Sequence, residues 1–459
     1  MAETIFLSAA MRVILIKLGS VFKEFAIIKG VNKELEKLGS TLSTIEAVLQ
    51  DAEEKQINSP EVKNWLGKLR DAAYDADDVL DEFFVKALRW NREKGMINKV
   101  TQLSSPSKLK FRFKIGHKIK KVAKKLDEIA AERLKFHLKM SELEGRVENK
   151  ETPTDSFVIE SKVYGRDEDK ENIVKMLINR SDEDEISINK LLRCGAKESK
   201  IVVTTRSYKV GDIARTVNQS YSLRILSDDD CWLLFRDGAF RVGEAENFPK
   251  LVSIGKEIVK KCGGLPLAAK ALGSVLRDKR EENEWLSIKD HRDNLVEVDG
   301  SGILPALKLS YDHLPFSMKQ CFAYCALFPK GYEIPKKTLI RLWIAQGFIH
   351  ESSSGERDTV LEEIGNKYFS DLQRRCLFQD VVKDEYGNVK ACKMHDLVHD
   401  LARVVGGMEC MNIDFVDENW IRRIPERNIR HASIVCDDNT DTDRVQEVFT
   451  PLHNRSPRL

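Results

Sequence analysis

The chain has 459 residues, a formal net charge of +2 and 42% hydrophobic residues. This length suffices for about three domains. A net charge so close to zero produces no strong electrostatic field over the whole protein, so charge alone does not indicate a nucleic-acid or membrane partner. The nine cysteines are dispersed, without two pairs at zinc-ligand spacing. They therefore fit reduced cytosolic thiols better than a disulfide framework or a zinc site.

The N-terminal segment is apolar, but Glu3, Arg12 and Lys17 interrupt it. A signal peptide would carry positive charge where Glu3 stands, and the segment is too short and too charged to span a bilayer. We expect an amphipathic helix packed in a bundle, rather than a helix that lies on a membrane surface.

Three further helices are predicted from apolar residues that recur three and four positions apart, which places them on one helix face. These apolar stripes run over residues 35–49, 62–83 and 119–129. Ser59-Pro60-Glu61 precedes the second stripe and is a helix-start signal, with a capping serine, a first-turn proline and an acid at the positive helix end. Helices joined by short turns bury such stripes together, so we predict a four-helix-type bundle over residues 1–141.

Charge is uneven within this predicted bundle. No acidic residue occurs between Lys94 and Leu126, a stretch with eleven lysines and arginines, whereas an acidic run from Asp71 to Glu82 precedes it. We favour a solvated helix face that is partly paired with the acidic run. Peripheral contact with anionic lipid or nucleic acid is the alternative, but neither aromatic interleaving nor a DNA-binding motif accompanies the lysines. Residues 142–162 are polar and predict a flexible linker.

The rest of the chain is predicted to be mostly helical. Ile201 to Thr205 is a β-branched run typical of a buried strand in a parallel sheet, and residues 186–188 form a weaker run. Gly263-Gly264 followed by Pro266 indicates a helix end, a turn and a new helix start. The remaining predicted helices cover residues 303–313, 318–325, 336–347, 358–375 and 394–404. Strands predicted at 377–382 and 388–392 would complete a winged-helix unit.

Seven motifs in this order resemble those of plant coiled-coil NB-ARC disease-resistance receptors. They are Asp71–Glu82, Val163–Arg166, Ser199–Arg206, Tyr221–Phe240, Gly263–Ala268, Lys319–Pro329 and Met394–Asp396. The resemblance covers most of the chain. It implies a mainly α fold with a coiled-coil bundle, a parallel α/β nucleotide domain of which a remnant is present, a helical domain and a winged-helix domain. It also implies a receptor that is inactive while ADP is bound and that is activated when ATP replaces the ADP.

The resemblance divides the chain into six parts. These are the coiled-coil bundle (1–141), the linker (142–162), a truncated nucleotide-binding subdomain (163–225), a helical subdomain (226–300), a winged-helix subdomain (301–405) and the start of a leucine-rich-repeat region (406–459).

Two sets of site residues follow from the same resemblance. The nucleotide set is Val163, Tyr164, Gly165, Arg166, Arg206, Gly264, Pro266, Leu267 and His395. In that set Val163 to Arg166 would border adenine, Pro266 and Leu267 would pack on its face, Arg206 would sense the terminal phosphate and His395 would bind the diphosphate. The partner-binding set is Asp77, Asp78, Val79, Leu80 and Asp81.

Each of the main nucleotide candidates also has a structural explanation. Arg206 could be a surface arginine at a strand end, Pro266 a helix-starting proline, and His395 a cap near a helix start. Cys321 and Cys325 are one helical turn apart, and we predict that they are core residues rather than metal ligands.

The sequence departs from the family's pattern at the phosphate end. It contains no Gly-x-x-x-x-Gly-Lys-Ser/Thr loop and no apolar strand ending in metal-binding acids, and Glu198 stands where the family has glycine. Phosphates need a nest of backbone amides with a lysine, and magnesium needs a hydroxyl and an acid. We therefore expect neither useful ADP or ATP binding nor ATP hydrolysis. The chain stops at Leu459, so leucine-rich repeats are expected to be missing, with Arg430 to Ile434 as their possible start.

Three hypotheses of function remain open on the sequence alone. The first is a cytoplasmic defence protein, not an enzyme, that acts through self-association or protein partners of its coiled-coil domain. The second is an ADP-binding switch in which the missing half is dispensable or supplied by another chain. The third is a truncated gene product without a stable central fold. In the family, the acidic face of Asp77, Asp78 and Asp81 contacts the leucine-rich repeats, so here we expect these carboxylates to be exposed or paired with the basic segment.

Overall fold

The computed structural model describes residues 6–25, 32–56, 59–93, 106–136, 138, 163–178, 202–205, 208–214, 221–290, 305–349, 361–414 and 429–435. The chain divides into two compact units, which are described separately. The bundle–winged-helix unit holds Met1–Lys150, Gly300–Ile303 and Tyr311–Leu459, and the central unit holds Glu151–Asp299 and Leu304–Ser310. The fold is mainly α, as predicted. No helix among the described residues combines the length and the apolar character that crossing a membrane requires.

Four long helices form the N-terminal bundle, which confirms the predicted architecture. They are α1 (Leu7–Phe25), α2 (Asn32–Lys55), α3 (Pro60–Glu93) and α4 (Pro106–Glu132). The predicted stripes form one apolar core, to which α1 contributes Leu7, Met11, Ile14 and Leu18. The indole of Trp65 on α3 is buried there and donates to the carbonyl of Ile129 on α4 at 2.8 Å.

The start of α3 follows the capping signal read from the sequence. Ser59 Oγ accepts a hydrogen bond from the backbone N–H of Val62 at 3.3 Å, and Pro60 is the first helical residue. A free N–H group at the helix start thereby gains a partner, and the proline has no N–H that would need one. Local sequence thus fixes where α3 begins.

The winged-helix part is built from helices and a small antiparallel sheet. Its elements are α12 (Phe316–Tyr324), β1 (Ile334–Pro335), α13 (Lys336–Ala345), α14 (Leu361–Arg374), β2 (Gln379–Lys383), β3 (Val389–Lys393) and α15 (Asp396–Gly406). The sheet order is β1-β3-β2, and both pairings are antiparallel. The predicted helices and the β2–β3 hairpin are confirmed. The two-residue strand β1 was not predicted.

A second sheet follows α15 and was not predicted as strands. It pairs β4 (Cys410–Asp414) with β5 (His431–Val435) in parallel, from Cys410 opposite His431 to Asp414 opposite Val435. Arg430, the residue before β5, also donates its backbone N–H to the carbonyl of Glu409 at 3.0 Å. The main chain around residue 430 is therefore held in a fixed register beside residues 409–414.

The central unit is helical in its described part. Its elements are α5 (Asp167–Ile178), α6 (Tyr208–Ala214), α7 (Asp228–Ala239), α8 (Pro249–Lys260), α9 (Pro266–Leu276) and α10 (Glu282–Lys289). A further helix, α11 (Pro305–Asp312), follows along the chain. Helices α7 and α9 pack closely at Gly273. A Cβ added there would lie only 2.4 Å from the carbonyl oxygen of Phe235, so the residue has no room for a side chain.

The prediction of a buried parallel strand at 201–205 is wrong for its described residues. Residues 202–205 are exposed and form no strand, with Val202 at 62% and Val203 at 49% exposure. A β-branched run favours a strand only where neighbouring strands satisfy its backbone groups and cover its faces. No strand is present in the described residues of the central unit. The predicted linker at 142–162 and the weak run at 186–188 lie outside the described residues.

Candidate nucleotide-contact residues and the acidic motif

The segment Val163–Arg166 packs against the start of α7 in the central unit. Gly165 has φ +65°, and a Cβ there would lie 2.4 Å from Asp230 Oδ2, so a side chain would be both strained and blocked. The hydroxyl of Tyr164 donates to Asp237 Oδ2 at 2.7 Å. This hydrogen bond fixes the segment on α7, while Val163 remains 65% exposed.

Gly264 brings a second predicted segment against residues 225–226. The backbone N–H of Leu226 donates to the Gly264 carbonyl at 3.0 Å. Gly264 has φ +73°, and a Cβ there would lie 2.7 Å from Ile225 Cβ. Pro266 is the first residue of α9 and is half-buried beside Leu267. Pro266 therefore starts a helix, as its structural explanation required.

Arg166 is engaged by its own chain. Its Nη1 donates to Asp169 Oδ2 at 2.7 Å and to the carbonyl of Arg224 at 2.6 Å. The hydroxyl of Tyr221 donates to the other oxygen of Asp169 at 2.6 Å. The hydrogen bonds from Tyr221 and Arg166 lower the pKa of Asp169. Its carboxylate therefore stays ionised and remains paired with the guanidinium of Arg166. Asp169 was not predicted, although the spacing of three between Arg166 and Asp169 is a known helical pair signal, and Tyr221 was named only as the start of a motif and not as a site residue.

The described residues of the central unit suit the base of a nucleotide better than its phosphates. Exposed apolar side chains such as Val163 and Ile225 could lie against a flat ring. The helix starts nearby are acidic, since α5 begins with 167–169 and α7 with 228–230, three acids in each case. Carboxylates at a helix N-terminus take the place that an anion would use and repel it. The phosphate end of the site therefore does not fit ADP or ATP in the described residues.

His395 has a structural role in its own unit. His395 lies in the bundle–winged-helix unit, where it is the N-cap of α15 and its Nδ1 accepts from the backbone N–H of Leu397 at 3.1 Å. The structural role considered for His395 is thus present. Arg206 lies outside the described residues.

The acidic motif on α3 is paired within its own unit. Asp77 and Asp81 both accept from Lys17 Nζ at 2.6 Å, and Asp78 accepts from Arg430 Nη1 at 2.7 Å. Burial lowers the pKa of Lys17, but its hydrogen bonds to the two carboxylates outweigh this, so the pKa is raised and the ammonium is held charged.

Of the three carboxylates expected to be exposed or paired with the basic segment, only Asp81 is exposed, at 54% of its side chain, and none pairs with that segment. The basic segment pairs with two other acids of the same run, since Lys118 contacts Glu82 and Lys125 contacts Asp75, each at 2.7 Å. Helix geometry explains the difference, because residues on different faces of α3 meet different helices. Val79 and Leu80, which we had predicted to bind a partner, are buried in the bundle core at 4% and 1% exposure.

A closed set of contacts joins α3 to residues 409 and 430. The hydroxyl of Tyr74 donates to Glu409 Oε2 at 2.5 Å, and the Arg430 guanidinium lies 4.1 Å from the centre of the Tyr74 ring. Glu409 is only 4% exposed. Burial raises its pKa, against the effect of Tyr74, Arg70 and Arg430. Tyr74 could have been noticed four residues before Asp78, on the same helix face; no sequence signal marked Glu409.

The two cysteines of α12 and its C-terminal end lie in the core. Cys321 and Cys325 are fully buried, which confirms them as core residues, and burial raises the pKa of both thiols. Within the described ranges, no group of three or more histidine, cysteine, aspartate or glutamate side chains is arranged to hold a metal ion.

Three family models match the chain in the order that the structure displays. The Rx N-terminal domain matches residues 10–114, the NB-ARC domain matches residues 166–244, and the disease resistance protein winged helix domain matches residues 327–402. The first covers most of α1, all of α2 and α3 and the start of α4, and the last covers α13, α14, both strands of the hairpin and the start of α15.

Relatives from two plants match most of the chain. Putative disease resistance protein RGA1 of Solanum bulbocastanum is 36% identical over 494 residues, which is 86% of this chain and 49% of the relative. Putative disease resistance RPP13-like protein 1 of Arabidopsis thaliana is 31% identical over 495 residues, 84% of this chain and 46% of the relative. The chain thus spans about half the length of these relatives.

The aligned lengths exceed the 459 residues of the chain, so the relatives carry residues inside the matched span that this chain lacks. In this chain the Rx N-terminal, NB-ARC and winged-helix matches follow one another along the sequence. The chain belongs to the coiled-coil NB-ARC family of plant disease-resistance proteins.

Proposed function

We propose that this chain acts in plant defence, from the cytoplasm, through protein–protein contacts of its N-terminal bundle. The names of the relatives support a defence role. The observation that carries the proposal is the state of the acidic motif, whose carboxylates are bound by Lys17 and Arg430 of the same chain. A partner that uses these carboxylates must compete with both cations. Internal pairing would then limit how readily the bundle associates.

The test measures association and defence together. Arg430→Ala frees Asp78 without removing a residue of the bundle core, so we expect stronger self-association or partner binding by analytical ultracentrifugation. Arg224→Ala removes an arginine from an exposed pair with Glu168 and serves as the control. In plants that lack the gene, reintroducing the intact chain should restrict pathogen growth, whereas a chain with Asp77, Asp78 and Asp81 changed to lysine should not. Equal association of both arginine variants and equal protection by both chains would refute the proposal.

We infer that the nucleotide switch of the family is incomplete in this chain and that it neither binds ADP usefully nor hydrolyses ATP. Micromolar binding needs about 8 kcal/mol of net free energy. Much of that must come from phosphate groups held by amides, lysine and magnesium. The sequence lacks the glycine-rich loop, Arg166 is bound to Asp169, and the neighbouring helix starts are acidic. Phosphoryl transfer needs still tighter positioning and charge neutralisation.

An ADP-binding switch is the second candidate, and one observation favours it. Segment 163–166 is held on α7 by the hydrogen bond from Tyr164, and segment 225–226 is held by the backbone hydrogen bond to Gly264. The residues that would contact one face of a nucleotide base are therefore fixed in place. Calorimetric titration of the full chain with ADP and magnesium separates the candidates, with His395→Ala beside it. Low-micromolar binding that His395→Ala weakens would establish the switch and overturn our inference.

A further inference from the structure

Helix α4 presents one strongly cationic face to solvent. Its buried residues, including Ile115, Ile119, Val122 and Leu126, point into the bundle core. The opposite face carries exposed lysines that, at 3.6 residues per turn, fall within an arc of about 120°. We call this set the lysine stripe: Lys110, Lys114, Lys120, Lys121 and Lys124.

The lysine stripe differs from the other lysines of α4 in its partners. Lys118 and Lys125 lie toward α3 and pair with carboxylates there at 2.7 Å. Lys110, Lys120 and Lys121 have no carboxylate within ion-pair distance in the part of the chain that the structure describes. Lys114 is 3.6 Å from Glu82, and Lys124 is 3.9 Å from Glu128, whose side chain is 68% exposed. The partial pairing that we expected for the basic segment is therefore present, and among the described residues it leaves Lys110, Lys120 and Lys121 without a carboxylate partner.

An exposed aromatic side chain stands within the lysine stripe. Phe113 is 77% exposed and lies one residue before Lys114, on the same face of α4. Glu82 on α3 contacts Lys118 on α4. Val85, which is 50% exposed, and the exposed Lys86 follow Glu82 by about one turn of α3, so they lie near the same end of the α3–α4 pair as Phe113. An exposed aromatic side chain and exposed lysines thus share one face of α4.

We propose that the lysine stripe and Phe113 bind the surface of a bilayer that contains anionic lipids. Lysines are point charges on flexible stems and suit headgroup phosphates spread over a plane. An aromatic ring beside them suits the boundary between headgroups and acyl chains. From Lys110 to Lys124 the helix extends about 21 Å, so the charges meet a flat surface rather than one small anion.

A lipid surface explains this arrangement better than a nucleic acid does. Single-strand binders interleave aromatic residues with their cations so that successive bases can stack, and duplex binders use arginine forks or a helix in a groove. In the described part of α4, Phe113 is the only exposed phenylalanine, tyrosine or tryptophan, and the exposed side chains with a permanent positive charge are lysines. The contact is peripheral, since no described helix can cross a membrane.

The test is sedimentation of the full chain with vesicles. We compare vesicles of phosphatidylcholine alone with vesicles that also contain phosphatidylserine, at low and at moderate salt. The intact chain should bind only the anionic vesicles, and added salt should weaken binding. Each lysine near such a surface contributes a factor of about five. The variant Lys110→Gln, Lys120→Gln, Lys121→Gln should therefore lose binding by about a hundredfold.

Matched variants separate the lysine stripe from net charge. Lys170→Gln, Lys260→Gln, Lys270→Gln removes three exposed lysines of the central unit and should leave binding within about twofold. Phe113→Ser should weaken binding by about tenfold without changing its salt dependence. Far-ultraviolet circular dichroism verifies that every variant folds. Absence of binding to anionic vesicles, equal loss in the two triple variants, or binding to an acidic polypeptide or nucleic acid but not to vesicles would each overturn the proposal.

Discussion

Tyr74 on α3 donates its hydroxyl proton to Glu409 at 2.5 Å, joining two residues that lie 335 positions apart in the chain. Both are buried, and their contact links the helical bundle to the segment that follows the winged-helix part. Removing this hydrogen bond therefore tests how far the two segments stabilise each other.

Tyr74→Phe should lower the free energy of unfolding by about 1–3 kcal/mol, because it leaves a buried carboxylate without its donor. Urea unfolding followed by circular dichroism measures the change. Tyr386→Phe is the control, since Tyr386 is 88% exposed and its change should stay within about 0.5 kcal/mol. Equal effects of the two variants would mean that the hydrogen bond contributes nothing to stability.

Asp78 and Arg430 should show measurable coupling. Their side chains are 34% and 26% exposed, so the pair is screened less than one at the surface. A double-mutant cycle with Asp78→Ala and Arg430→Ala should give a coupling energy of about 1 kcal/mol. The same cycle on Glu168 and Arg224, which are 70% and 72% exposed, should give less than about 0.5 kcal/mol. A coupling near zero for the first pair would contradict the structure.

Two glycine-to-alanine changes should act in opposite directions. Gly273→Ala places a methyl group against the carbonyl of Phe235, so it should force α7 and α9 apart and cost about 1–3 kcal/mol. Gly67 on α3 has open space for a Cβ, so Gly67→Ala should stabilise by about 0.5–1 kcal/mol through its effect on the unfolded chain. Thermal unfolding compares the two. Stabilisation by Gly273→Ala would show that the helices do not pack this closely.

His431 should make the bundle–winged-helix unit less stable in mild acid. It lies between the rings of Phe6 and Tyr324, and burial, helped by Arg430, lowers its pKa to about 4 from 6.5. Between those values the unfolded chain binds the proton better, so stability falls as the pH drops below about 6.5. At pH 5 the loss attributable to His431 is about 2 kcal/mol.

His431→Phe should remove this dependence and preserve the ring contacts. Urea unfolding at pH 7 and pH 5 gives the comparison, and the difference between wild type and variant isolates the histidine. That difference is needed because Glu409, whose pKa is raised, changes stability in the opposite direction. An identical loss of stability in wild type and variant would show that His431 is not the group responsible.

Local signals in the sequence were sufficient for most helices. The five helices α11 to α15 begin and end within three residues of their predicted bounds, because apolar periodicity and helix-start residues are carried by the segment itself. The β2–β3 hairpin was likewise predicted from two short runs around a polar turn.

Non-local relationships were not predictable in this way. Residues 202–205 have strand-like composition, yet strand formation depends on neighbours that the segment cannot specify. The same holds for β4 and β5, whose parallel pairing depends on each other. At the candidate sites, the segments could be named from the sequence, but the engagement of Arg166 by Asp169 and of Asp78 by Arg430 depends on three-dimensional proximity.

The contacts around Tyr74 have a consequence for how the bundle can separate from residue 430. The backbone N–H of Arg430 donates to the Glu409 carbonyl, and the Glu409 carboxylate accepts from Tyr74. The Arg430 guanidinium lies over the Tyr74 ring and donates to Asp78. Each contact positions the groups that make the next, so losing one weakens the rest. Separation should therefore be cooperative, and partly opened states should be sparsely populated. A signal acting on this segment would meet a threshold, and its response would be steep rather than graded.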